Sequence, residues 1–334
     1  MIRRLGRLIL DPYIGMMLLV VAIAAILPAR GQGAAIAGTA ADVGIVFLFF
    51  LYGARLSSKT ALDGIMHWKL HIAILLSTFL LFPLMGIAIK PFVQGSLPPA
   101  LMTGILYLCV LPSTVQSSIA FTSIARGNVP AALGAASASN ILGVFLSPFL
   151  AGYLLQTHEM ALSLHVFQDI MLQLLVPFIA GQLLRPWIGD WVQRSRKVLG
   201  YADRGSILLI IYVAFSRGMI DGIWQQLGLA DLALLIGLSA LLLTFALTIT
   251  WFIGRQVMGL AIEDAIVLQF CGTKKSLASG LPMAIVLFSG PALGMIILPL
   301  MLFHQIQLIV CAVLARHYGE RAETAASIAG KAAV

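Results

Sequence analysis

The stretch from Gln269 to Pro282 reads QFCGTKKSLASGLP and places two adjacent lysines inside an apolar run. Counted from Glu263 to Leu287, Lys274 and Lys275 fall near the middle of a segment long enough to cross a bilayer. A lysine at the centre of a spanning helix costs roughly 2.5 to 3.5 kcal/mol, and neither lysine is near enough to an end to reach the headgroups by extension. Something polar must receive them. The segment is therefore expected to line an aqueous cavity in a polytopic membrane transporter.

Composition points the same way. Of 334 residues, 60% are hydrophobic and 10% charged, with mean hydropathy +1.00. A soluble domain carries about a quarter charged residues. The net charge of +8 is spread between apolar spans rather than gathered on one polar domain, so anionic membrane lipid, not nucleic acid, is the expected counterpart. Cys109, Cys271 and Cys311 have no paired spacing, which argues against a disulfide framework or a metal site.

Outward from the lysines, ten segments are long enough to cross, each needing about 20 residues. They lie near 13–29, 38–54, 70–89, 100–125, 129–155, 165–184, 204–220, 229–254, 264–288 and 291–315. In lipid each such run must be helical to pair its own backbone. With the N-terminus in the cytoplasm, sixteen basic residues fall in inside loops and termini and three, Arg30, Lys90 and Arg217, fall outside. That is the positive-inside asymmetry, and it places both termini in the cytoplasm at the inner membrane.

Ten spans divide into five and five, so a duplicated half inserts upside down. The first repeat covers residues 1–155 and the second 165–317, leaving 318–334 as a frayed cytoplasmic tail. Thr114-Val115-Gln116-Ser117-Ser118 in span 4 and Thr273-Lys274-Lys275-Ser276 in span 9 share a T-x-x-S core. Both spans are interrupted: Pro112 removes a backbone donor ahead of Ser113, and Gly272, Gly280 and Pro282 are expected to break the other. Paired broken spans in matching positions mark a transporter's binding site at the repeat interface. Two roles stay open for the lysines: drawing in an anionic substrate, or binding carbonyls freed by the broken helices.

VLPSTVQSS, IARGN (Ile124 to Asn128), SASN (Ser137 to Asn140) and QFCGTKKSLASG together resemble the bile acid:sodium symporter family, and most closely its member-seven-like branch and bacterial relatives. The resemblance covers nearly the whole chain. It implies a panel domain of spans 1, 2, 6 and 7 and a core domain of spans 3, 4, 5, 8, 9 and 10, with spans 4 and 9 unwound where they cross. It implies alternating access by movement of core against panel. Its site positions fall here on Thr78, Ser117, Ser118 and Ser137, with Asn140 following. Its sodium-binding glutamate aligns with Gln269 and its glutamine with Thr273.

The missing carboxylate and the two lysines disfavour sodium as a coupling ion, because a hard cation wants several oxygens and no neighbouring ammonium. The expectation is an ammonium in the volume that sodium fills in relatives. The pair would also attract a small organic anion. Transport is the leading function. A regulatory membrane protein of the same fold, with little flux and an influence on ion handling such as calcium, is the alternative. No nucleophile–base pair or metal constellation points to an enzyme. His158, Glu159, His165 and Asp169 could together suggest a metal site, although loop positions explain them more simply.

Overall fold

The computed structural model describes residues 12–55, 67–155, 171–222, 225, 227–288 and 290–332. Twelve helices run through them in order: α1 (Pro12–Ile26), α2 (Gly31–Arg55), α3 (Trp68–Val93), α4 (Pro99–Val110), α5 (Val115–Ile124), α6 (Val129–Leu155), α7 (Val176–Arg194), α8 (Arg196–Ile220), α9 (Leu229–Val257), α10 (Ile262–Thr273), α11 (Leu277–Leu287) and α12 (Leu293–Ala332). Among the described residues the only β-type pairing is one isolated bridge, between Gln94 and Leu97. The protein is all-helical. His158, Glu159, His165 and Asp169 lie outside the described residues.

Among the described residues, six helices are long and apolar enough to cross a membrane, namely α2, α3, α6, α8, α9 and the part of α12 up to Ala322. A seventh crossing arises if α4 and α5, bent by 62°, form one span. These properties make it a multi-pass membrane protein. The other expected crossings correspond to the shorter apolar α1, to α7, and to the pair α10–α11, which carries Glu263, Asp264, Lys274 and Lys275.

Local sequence explains the first interruption. Proline disfavours helical backbone at the residue before it, and Leu111 ahead of Pro112 is extended, with ψ 152°. The chain resumes as α5 only at Val115. The second interruption is not where expected. Gly272 lies inside α10, and Gly280 and Pro282 lie inside α11; the break covers Lys274 to Ser276 alone. Ser276 caps α11 by accepting a hydrogen bond from the Ser279 amide at 3.2 Å, as N-cap serines do.

Gly280 serves close packing instead. A Cβ there would stand 2.5 Å from Leu111 Cδ1 and 2.7 Å from Leu300 Cδ2. Pro282 lacks the amide that would reach back to the Ala278 carbonyl, and the Tyr52 hydroxyl donates to that oxygen at 3.1 Å. The C-terminal stretch also differs from expectation. The helix continues to Ala332 rather than fraying, in keeping with an alanine-rich run of strong helix formers.

Packing is densest within two groups of helices, which α8 links by also packing on α11 and α12. α2 lies along α7 so closely that a Cβ on Gly53 would meet the Phe178 carbonyl at 1.9 Å, and one on Gly181 would meet the Phe50 carbonyl at 2.0 Å. α1 and α2 also pack on α8. In the other group α12 packs on α4, α5, α9 and α11, while α10 packs on α3, α5, α6 and α9. Of three π-helical turns among the described residues, Met171–Leu175 precedes α7, while Ser77–Leu81 in α3 and Ile253–Val257 in α9 mark where these helices widen.

The IARGN turn joins α5 to α6. Arg126 takes the left-handed conformation at φ 58°, and Asn128 then ties two elements together. Its side chain accepts from the Ala131 amide at 3.1 Å and donates to Asp264 at 2.8 Å, fixing the start of α6 to the start of α10.

Candidate functional site

The two interruptions meet face to face. The Ser276 amide donates to the Pro112 carbonyl at 2.8 Å, and the Thr114 hydroxyl donates to the Lys275 carbonyl at 2.9 Å. Extended backbone from one broken span thus pairs with extended backbone from the other. Gln307 on α12 completes the hold on Lys275. Its amide oxygen accepts from the Lys275 amide at 2.9 Å, and its amide nitrogen donates to the Lys275 carbonyl at 3.0 Å. A primary amide has a donor and an acceptor side by side, and here both are spent on one peptide residue. This clamp is the physical reason that α10 stops at Thr273.

The Lys275 ammonium has three donors and finds three acceptors. Nζ donates to the carbonyls of Thr78 at 2.9 Å, Cys109 at 3.1 Å and Leu111 at 2.9 Å, and stands 4.1 Å from the centre of the Phe82 ring. Each acceptor is free for a reason visible in the sequence. Cys109 and Leu111 sit where α4 ends, so their carbonyls lose the usual helical partners. The Ser113 amide, four residues after Cys109, donates instead to Ser139 Oγ at 3.0 Å. Thr78 lies in the π-turn of α3, where the Phe82 amide reaches back to the Ser77 carbonyl. The residue five after Thr78 is Pro83, which has no amide to give. The negative end of the α4 dipole points at the same cation.

Lys274 is placed differently. Its Nζ is buried with no hydrogen-bond partner, and it sits 3.8 Å from the centre of the Phe121 ring and 5.5 Å from that of Phe270. Cation–π contact is worth about 2 kcal/mol or more when desolvated. Both lysines have 0% exposure, which corrects the expectation that they line an aqueous cavity. Polar backbone and aromatic faces do what water was expected to do.

The other expected residues divide in two. Thr78, Ser113, Ser118, Gln269, Thr273 and Ser276 are buried with the lysines. Ser118 donates to the Phe270 carbonyl at 3.4 Å, and Asn140 donates to the Ser113 carbonyl at 2.6 Å while accepting from Ser279 Oγ at 2.8 Å. Ser117 Oγ is buried without a partner, as is Ser113 Oγ. Gln116 is exposed and Ser137 half-buried, and neither hydrogen-bonds to the crossing. Ser139, within the SASN string, takes part through the Ser113 amide, and Ser147, Tyr107 and Tyr318 take part without having been singled out. Ser147 donates to the Val110 carbonyl at 2.7 Å and Tyr107 to the Gly280 carbonyl at 2.6 Å. The hint for these was a polar residue inside an apolar span, since a buried hydroxyl needs a partner.

The residues do not fit a sodium ion. Gln269 uses both ends of its amide internally, donating to the Leu247 carbonyl at 3.0 Å and accepting from Tyr318 at 2.9 Å. Lys275 already occupies the carbonyl oxygens at the crossing. Among the described residues no group of three or more His, Cys, Asp or Glu could hold a metal ion.

The profile of the SBF-like CPA transporter family matches residues 11–320. The chain belongs to this family. A Pseudomonas aeruginosa protein of uncharacterized function is 49% identical over 327 residues, covering 98% of each chain. YfeH of Escherichia coli K12, which carries a provisional symporter name, is 46% identical over 315 residues, 94% of this chain and 95% of its own. Sodium/bile acid cotransporter 7 of Rattus norvegicus is 28% identical over 283 residues, 83% of this chain and 82% of its own. As a member of the SBF-like CPA transporter family, the protein stands among transporters of the bile acid:sodium symporter type rather than among enzymes.

Proposed function

We propose that the protein is a secondary transporter of a small organic anion that works by alternating access without sodium. Lys275 supplies in tethered form the positive charge that a bound cation would bring to the crossing. The observation that carries this reading is the ammonium with its three carbonyl partners from two different spans. In this reading the chain crosses the inner membrane ten times as two inverted five-helix repeats, with both termini cytoplasmic. Helices α1, α2, α7 and α8 form the panel, and the remainder forms the core. The close packing of α2 on α7, and of α1 and α2 on α8, supports that division, with α8 the panel helix that also touches α11 and α12. The Tyr52 to Ala278 hydrogen bond joins panel to core, so it must break when the two move apart. Lys274, buried without a hydrogen-bond partner, is the charge available to an anion when the core opens.

Uptake of labelled taurocholate into vesicles reconstituted with the purified protein tests this, with sodium, potassium or choline as the only cation. Equal uptake in all three supports the proposal. Strict dependence on a sodium gradient overturns it.

The complete burial of both lysines also favours a second reading, a regulatory protein of the same fold that moves little substrate and acts on ion handling such as calcium. Absence of flux across a panel of organic anions, with normal folding, would select it.

A further inference from the structure

A groove with a volume of about 510 Å³ lies between α3 and the end of α9, outside the crossing. Its walls are almost wholly carbon, from Ile72, Ala73, Leu76, Leu80 and Leu84 on one side and Ile253 and Met258 on the other. The size falls within the range of small-molecule sites, about 300–1,000 Å³. The π-turns of α3 and α9 border it, through Ser77, Leu80 and Leu81 of the former and Ile253 of the latter. Helices that bulge by one residue cannot close flush against each other, which is why the space exists.

One end is not apolar. Trp68 and Lys69 line it at the start of α3, both are exposed, and Lys69 Nζ lies 5.7 Å from the centre of the Trp68 ring. Lys69 has no ion pair among the described residues. An aromatic ring and a basic side chain together are the usual anchors at the headgroup level. From Lys69 to Leu80 the helix rises about 16 Å at 1.5 Å per residue, close to half of the roughly 30 Å hydrocarbon core. The dimensions are those of one acyl chain in one leaflet.

We infer that this groove binds an anionic phospholipid, with an acyl chain between α3 and α9 and the phosphate on Lys69. The acyl chain packs against the same π-turn that offers the Thr78 carbonyl to Lys275, so the lipid supports the crossing from behind. The inference stands on the groove and its cationic end, independently of any transported substrate.

Native mass spectrometry of the full-length protein, purified in mild detergent and titrated with phosphatidylglycerol or phosphatidylcholine, tests it. Wild type is expected to retain one phosphatidylglycerol in preference to phosphatidylcholine. Lys69→Gln should lose about fivefold of that preference, equivalent to the ~1 kcal/mol a basic residue contributes near an anionic surface. Ala73→Leu and Ala73→Trp should abolish retention of either lipid by filling the groove, and a melting curve shows which of the two remains folded. Equal retention of both lipids by wild type, or undiminished phosphatidylglycerol retention in a folded Ala73 variant, would overturn the assignment.

Discussion

Replacing Lys275 by methionine leaves an unbranched apolar side chain one atom shorter and removes all three donors together with the Nζ contact to Phe82. The carbonyls of Thr78, Cys109 and Leu111 are then buried without partners. A buried polar group left unsatisfied costs about 1–3 kcal/mol, so three cost about 3–9 kcal/mol. Against this, the lysine no longer has to be held at bilayer depth, which returns roughly 2.5–3.5 kcal/mol. The net loss centres on about 3 kcal/mol. At about 2–4 °C per kcal/mol, the melting temperature in detergent should fall by about 6–12 °C. Lys274→Met is the control, because Lys274 makes no hydrogen bond through its ammonium. It gives up a cation–π contact worth about 2 kcal/mol and is relieved of a similar burial cost, so its melting temperature should stay within about 3 °C of wild type. Lys275→Ala adds a further check, since it leaves space beside the three oxygens. Sodium present at one hundred times its dissociation constant would restore about 2.7 kcal/mol relative to choline. A Lys275→Met protein that melts with wild type, while Lys274→Met drops steeply, would refute the reasoning.

Four further outcomes follow from the same geometry. Lys274→Met should fold normally yet lose at least tenfold in anion uptake, measured in vesicles beside wild type. Gly53→Ala and Gly181→Ala should each prevent stable folding, because the added Cβ meets backbone carbonyl at 1.9 Å and 2.0 Å. Gly280→Ala, which meets only flexible leucine methyl groups, should cost about 1–3 kcal/mol, and thermal denaturation would rank the three. Arg55 on α2 pairs with Asp203 on α8, so Arg55→Leu alone should destabilise more than Arg55→Leu with Asp203→Leu in a double-mutant cycle. Tyr52→Phe should leave folding nearly intact and alter the rate of transport, because its hydroxyl joins α2 to α11 across the two helix groups.

Much of this architecture was legible from residue order. Apolar runs gave the helices, because lipid leaves the backbone no other way to pair, and Pro112 gave the first interruption through its missing amide and its effect on Leu111. The second interruption was placed in the right segment but for the wrong reason. Gly272, Gly280 and Pro282 are tolerated within helices, and the chain opens at Lys274 to Ser276 because Gln307, far along the sequence, takes both backbone groups of Lys275. A contact between residues 32 positions apart leaves no local trace. Gln116 illustrates the opposite failure. Thr114 and Ser118, two positions to either side, turn inward, but two residues of helical rotation carry Gln116 to the exposed face. Lys274 and Lys275 look alike in sequence, and extended backbone sends their ammonium groups to different surroundings, as alternation along a strand would.

A diffusing counter-ion enters with the cargo, leaves on the far side, and by doing so lets a gradient drive the cycle. The charge on Lys275 is attached by four methylene groups and can do neither. On the sodium-free reading proposed above, an anionic cargo that moved with no other cation would register as electric current. Its direction would follow its own concentration difference and the voltage across the membrane. A negative cell interior would favour export over accumulation.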